Sequence, residues 1–139
     1  MTNLEQINEI VYWWLELPSD YKDLNELLYA RQRLSGHLFL FAQELAQYRR
    51  DWSGSQAKIE KVKNQSRVKF MATDSSAQKA DYKARANMAA DYEQDKINEA
   101  LYFGTKHVYD SVEQVLESMN QRIAHLREEW RLENFRTNV

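Results

Sequence analysis

LNELLYARQRLSGHLFLFAQELAQYRRDWSGSQAKIEKVKNQSRVK, residues 24–69, decides the fold. Steps of three and four residues, taken alternately from Leu24, give Leu24, Leu27, Arg31, Leu34, Leu38, Phe41, Leu45, Tyr48, Trp52, Ser55, Ile59 and Val62. An apolar stripe held in one register without a proline predicts a long helix that packs on a partner helix, as coiled-coil helices do. Only Arg31 and Ser55 interrupt it. The weak point is Trp52-Ser53-Gly54-Ser55, because glycine between serines lowers helix stability and could instead end one helix and cap another. The stripe nevertheless keeps its register from Trp52 to Ile59, so one continuous, bent helix is expected over residues 19–72.

Upstream, Thr2 and Glu5 have the spacing of a capping box, and Leu4, Ile7, Val11 and Trp14 then share one helical face. Ile10, Trp13 and Leu17 widen that face, which predicts a helix over 1–18 clamped between others. Pro18 ends it, and Ser19 or Asp20 is expected to cap the next helix. Downstream, Thr73, Asp74, Ser75 and Ser76 predict a turn over 73–77, with Ser75 and Gln78 as a second capping pair.

A second long helix is expected over 78–136. Its later part carries Tyr102, Tyr109, Val112, Leu116, Met119, Ile123, Leu126 and Trp130 in one stripe. Earlier, Ala86, Ala90, Ile97 and Leu101 follow another register, which makes Gly104 the expected kink or register shift. Folding the two long helices about residue 74 sets Val62 near Ala86 and Leu24 near Ala124. Trp130 and Phe135 then come beside Trp13 and Trp14, closing an aromatic end. The fold class expected is all-α: a long antiparallel helical hairpin, coiled-coil-like, with a short N-terminal helix. Leu28, Phe39, Leu40, Phe103 and Val115 lie off both stripes, which predicts a homo-oligomer that shares outer faces.

The chain has 139 residues, enough for one modest domain. Three glycines and one proline leave nearly all of it free to be helical. It has no cysteine, so disulfide scaffolds and thiolate zinc sites are excluded. Unbroken apolar runs such as Leu38 to Ala42 are far below the roughly 20 residues of a membrane span. Met1 to Glu9 lacks the basic start of a secretory signal, so a cytoplasmic protein with no membrane role is expected.

Charge is uneven along the chain. Residues 1–48 hold three Lys/Arg against seven Asp/Glu, residues 49–85 ten against four, and residues 86–139 six against ten. A basic middle between acidic ends suggests a partner with negative charge at one location. The cations concerned are Lys58, Lys61, Lys63, Arg67 and Lys69 before the expected turn, and Lys79, Lys83 and Arg85 after it. Tyr82 lies among the latter, where phosphate contacts and an aromatic face for a base coincide, as in single-stranded nucleic-acid binders.

No pattern for catalysis accompanies this basic tip. Helical-bundle metal sites need Glu-x-x-His, but the residues three before His37, His107 and His125 are Leu34, Gly104 and Arg122. A glycine-rich phosphate loop and the His-Glu-x-x-His spacing are also missing. Asp91, Glu93, Asp95 and Glu99 read as a solvated acidic face spread around their helix. No enzyme activity, metal or cofactor is expected.

A lysine-rich long helix (Lys-Ile-Glu-Lys-Val-Lys, 58–63, through Arg67-Val68-Lys69), a polar break and a helix ending in Arg-Ile-Ala-His-Leu-Arg (122–127) follow a short amino-terminal region. In this order of elements, over residues 24–135, the chain resembles the phage recombination mediators of the UvsY type. The resemblance implies a small phage-encoded oligomer in the host cytoplasm. It would bind single-stranded DNA through the lysine/arginine cluster and load a recombinase against a single-strand-binding protein. The competing expectation is a helical protein–protein interaction module, either an inhibitor of a host factor or an assembly chaperone, with no DNA role.

Overall fold

The computed structural model describes residues 1–72 and 77–137, with Phe70, Ala77, Ala80, Asp81 and Ala84 as backbone alone. Among the described residues the fold is all-α: four helices, α1 (Asn3–Glu16), α2 (Leu24–Met71), α3 (Ala77–Asn87) and α4 (Ala89–Thr137), and no strand. The two long helices, α2 and α4, pack against each other. Chain length predicts one domain; the contacts gather into two compact units, Met1–Glu44 with His107–Val139, and Leu45–Lys106.

The capping box forms as the sequence predicts. The Thr2 hydroxyl accepts from the Glu5 amide at 3.1 Å, and the Glu5 carboxylate accepts from the Thr2 amide at 2.8 Å. At the other end α1 stops at Glu16, two residues short of the expected 18. Leu17 is already extended (φ −67°, ψ 138°), as the residue before a proline prefers, and its amide donates to the Trp14 carbonyl. The cap of α2 is Asp23, not Ser19 or Asp20. Its carboxylate accepts from the Glu26 amide at 3.1 Å, and its carbonyl accepts the first intrahelical bond, from Leu27. The Tyr21 amide donates to the Pro18 carbonyl, so residues 18–21 form a turn and the helix begins later than expected.

All twelve stops of the α2 stripe are buried or half-buried, and α2 runs through Gly54 unbroken. In the first unit this stripe meets α1 and α4. Ile7, Ile10, Ala30, Leu34, Leu38, Phe41, Val112 and Met119 form one buried cluster, with Trp13, Trp14, Tyr109 and Leu116 packed against it. Burial of the larger of these side chains, each worth about 1.5–3 kcal/mol by the area it removes from water, drives the packing of this unit. Hydrogen bonds trim the edges: Arg33 donates to the Gln6 amide oxygen at 3.0 Å, and Arg31 to that of Asn120 at 3.3 Å.

The second unit corrects the reading of the later helix. The turn expected over 73–77 and the capping role of Ser75 lie outside the described residues, except that Ala77 already belongs to α3. The single helix expected over 78–136 is two. Met88 separates α3 from α4, its amide donating to the Arg85 carbonyl in a tightened i→i−3 turn while its side chain is buried. Helix α4 then passes through Gly104 without interruption. No register shift occurs there. Met88, Asp91, Asp95, Asn98, Tyr102 and Thr105 are buried or half-buried and continue, at the same alternating spacing, into Tyr109, Val112 and Met119. Ile97, Leu101, Ala86 and Ala90, expected on the seam, are exposed.

Polar pairs explain that register. The Ser55 hydroxyl donates to the Asp95 carboxylate at 2.6 Å, Lys58 pairs with Asp91 at 3.3 Å, and the Asn98 amide reaches the Asp51 carbonyl at 3.4 Å. These contacts run antiparallel. Folding about residue 74 would set Lys58 opposite Ala90; it meets the next residue. The expected closure of aromatics at one end does not occur: Trp130 and Phe135 are both 66% exposed, whereas Trp13 meets Tyr21 edge-on and Trp14 lies under Arg122.

Candidate nucleic-acid interface

The nine residues singled out for nucleic-acid binding all belong to the second unit. Five sit on the last turns of α2 and four on α3. On α2 they flank the buried stripe formed by Ser55, Ile59 and Val62. At 100° per residue, Lys58, Lys61 and Lys69 fall along one edge of it, and Lys63 and Arg67 along the other. That placement accounts for their exposure. Lys58, Lys61 and Lys69 are exposed; Lys63 and Arg67 are half-buried against the seam.

On α3 the spacing of three and four brings Lys79, Tyr82 and Lys83 to a common face, and Arg85 to another. Tyr82 is 75% exposed, the aromatic with the most open ring among the tyrosines of the described residues. Lys79 and Arg85 are exposed and Lys83 half-buried. The cations are not idle. Lys58 is held by Asp91, and Arg67, Lys79, Lys83 and Arg85 each engage another group of the chain. A phosphate arriving here shares or replaces those contacts.

In the same unit a ring cluster joins Trp52 and Tyr102, expected on the stripes, to Phe103, expected off both. Trp52 and Tyr102 stack with centroids 5.6 Å apart, and Phe103 meets both rings edge-on at 5.3 and 5.2 Å. Arg49 donates to the Tyr102 hydroxyl at 3.0 Å. Tyr102 is buried, so this cluster fastens α2 to α4 and offers no open ring face for a base beyond the outer edge of Phe103. Tyr102 is thus buried on the seam, whereas Tyr82 is open.

The carboxylates of α4 also differ from the expected solvated face. Asp91 and Asp95 are turned toward α2 and engaged, while Glu93 and Glu99 are exposed. Among the described residues no group of three His, Cys, Asp or Glu is placed to hold a metal ion. In the first unit, burial and the neighbouring Glu113 raise the pKa of Tyr109, and the bond from Arg131 lowers that of Glu128. Neither group belongs to the basic surface.

No family model, no curated protein and no solved structure matches this chain. The functional reading therefore stands on the residues themselves.

Proposed function

We propose that this chain is a single-stranded DNA-binding accessory protein that uses the basic surface of its second unit. The observation that carries the reading is the face of α3, where an open tyrosine ring lies beside two lysines. Phosphates meet Lys79 and Lys83 while a base stacks on Tyr82, a combination tolerant of sequence because every base has a π-face. Lys61 and Lys69 of α2 add further phosphate contacts. Nothing in this surface reads base edges in a duplex groove, so sequence preference is low. The role of recombination mediator, with a recombinase and a single-strand-binding protein as partners, rests on the UvsY-type order of elements.

Assembly belongs to the same proposal. Phe39 is 66% exposed, and Leu40, Tyr12 and Leu15 are also open on the first unit, so several copies sharing these faces would bury apolar surface. The same observation favours the second reading, a helical interaction module that binds a protein and has no DNA role.

Binding of a labelled oligonucleotide across a salt series separates the two. Replacing Lys61, Lys63, Arg67 and Lys69 by Ala leaves Ile59 and Val62 in place, so the fold is retained. Affinity should fall, and the slope of log affinity against log salt should flatten by about 0.7 for each phosphate contact removed. Tyr82→Ala should weaken binding by about 1–3 kcal/mol with little change in that slope. A folded quadruple variant that binds like the wild type, or a wild type that does not bind, leaves the protein-partner reading.

A further inference from the structure

The first unit contains a hollow of about 220 Å³ that the DNA reading does not use. Its walls are Glu9 and Trp13 of α1 and Glu26, Tyr29 and Arg33 of α2, with Ile10 as the floor. Two carboxylates and two aromatic rings facing one space form the chemistry that receives an ammonium or guanidinium group. Tyr21 braces this arrangement from behind. Its ring meets Trp13 edge-on at 6.0 Å, and its hydroxyl donates to the Glu26 carboxylate, so one residue fixes both an aromatic wall and an acid.

The chain already shows what the hollow accepts. The Arg33 guanidinium lies 5.7 Å from the centre of the Tyr29 ring, anchored on its other side by the Gln6 amide oxygen at 3.0 Å. Arg33 forms no ion pair within the described residues, and neither does Glu9 or Glu26. One guanidinium against two carboxylates leaves the hollow with net negative charge. Its volume suits a single long cationic side chain and not a folded segment.

We propose that the occupant is a lysine from the basic stretch of α2 in a second copy of the chain. The charge distribution supports this choice, because the cations gathered in residues 49–85 face a deficit of them in residues 1–48. Lys61 or Lys69, both exposed along one edge of α2, is the side chain that enters. Each copy both donates a lysine and offers a hollow. It occupies lysines that single-stranded DNA would also use. Self-association through the hollow and nucleic-acid binding therefore exclude each other at those side chains, although the contact itself stands without any DNA role.

Sedimentation at low salt over a range of protein concentrations tests this. Wild-type mass should rise with concentration and fall as salt screens the pairs. The isosteric double variant Glu9→Gln with Glu26→Gln should raise the self-dissociation constant about tenfold, and Lys61→Ala with Lys69→Ala should do the same. Circular dichroism should show all of them helical. The decisive arm mixes the two variants: the acid-depleted copy keeps its lysines and the lysine-depleted copy keeps its hollow, so together they should form a one-to-one complex that neither forms alone. Self-association unchanged in either variant, no complex on mixing, or a wild type that stays monomeric at low salt overturns the proposal. An oligonucleotide that fails to bind while self-association behaves as described removes the DNA reading and leaves this one intact.

Discussion

The first unit is held by apolar side chains from three helices, with Leu34 and Met119 at zero exposure, whereas the second joins α2 to α4 through Ser55–Asp95, Lys58–Asp91 and one stack of aromatic rings. Both use the same pair of helices at the same alternating spacing. The comparison teaches that a seam register is a matter of geometry, and that the source of its free energy is chosen position by position. Apolar burial rewards the first unit, and water competes for every polar pair of the second.

Removing a buried side chain should show the difference most strongly. Leu34→Ala or Met119→Ala is expected to cost about 2–5 kcal/mol in denaturant unfolding. Ile59→Ala should fall toward the lower end of that range, because Ile59 retains some exposure and has polar neighbours along the seam. Equal losses at the two places would break the contrast.

The polar seam should respond next. Asp95→Ala leaves the half-buried Ser55 hydroxyl with only the Trp52 carbonyl, 2.8 Å away, and should cost about 1–3 kcal/mol. Pairing Ser55→Ala with Asp95→Leu should recover most of the loss, since an apolar pair of similar shape has no unmet polar group. A double variant as unstable as the single would show that the Ser55–Asp95 bond itself holds the unit.

Register is tested by smaller effects. Ile97→Gln and Leu101→Gln should each stay within about 0.5 kcal/mol of wild type, because both side chains face water. Costs of several kcal/mol would put them back on the seam and restore the shift at Gly104. Smallest of all is the exposed Glu128–Arg131 pair, 2.8 Å apart. Its lowered Glu128 pKa stabilises the fold above the unfolded carboxyl pKa, and that contribution is lost as pH falls through the folded value. Arg131→Gln should return the Glu128 titration, followed by NMR, to the ordinary range with no measurable change in midpoint.

The stripe of α2 was legible because Leu27, Leu34, Leu38, Phe41 and Ile59 announce a buried face by hydropathy alone. The early part of α4 was not, because its true seam carries Asp91, Asp95 and Asn98 while apolar Ile97 and Leu101 face solvent. A polar residue belongs on a seam only when a partner waits opposite, and that partner, Ser55 for Asp95 or Lys58 for Asp91, is distant in sequence. The start of α2 was misplaced for a related reason: Ser19, Asp20 and Asp23 are all competent caps, and the turn closed by Pro18 and Tyr21 decides among them. The basic surface could be read as composition, though not the bond between Lys58 and Asp91. The hollow beside Trp13 was invisible, since Glu9 and Glu26 belong to different helices and meet only in the folded chain.

Helix α2 is continuous through Gly54, and continuity of shape is not uniformity of protection. A Cβ at Gly54 would meet no atom within 4 Å, so glycine there is not required by packing, and it weakens the helix by about 1 kcal/mol relative to alanine. Beside it the Ser55 hydroxyl lies within reach of both the Trp52 carbonyl and the Asp95 carboxylate, and its single proton cannot fully serve the two. The amides of residues 53–56 thus sit in the least reinforced turn of a long helix. In deuterated solvent they should exchange faster than those near Leu34, by opening events that leave the rest of α2 closed.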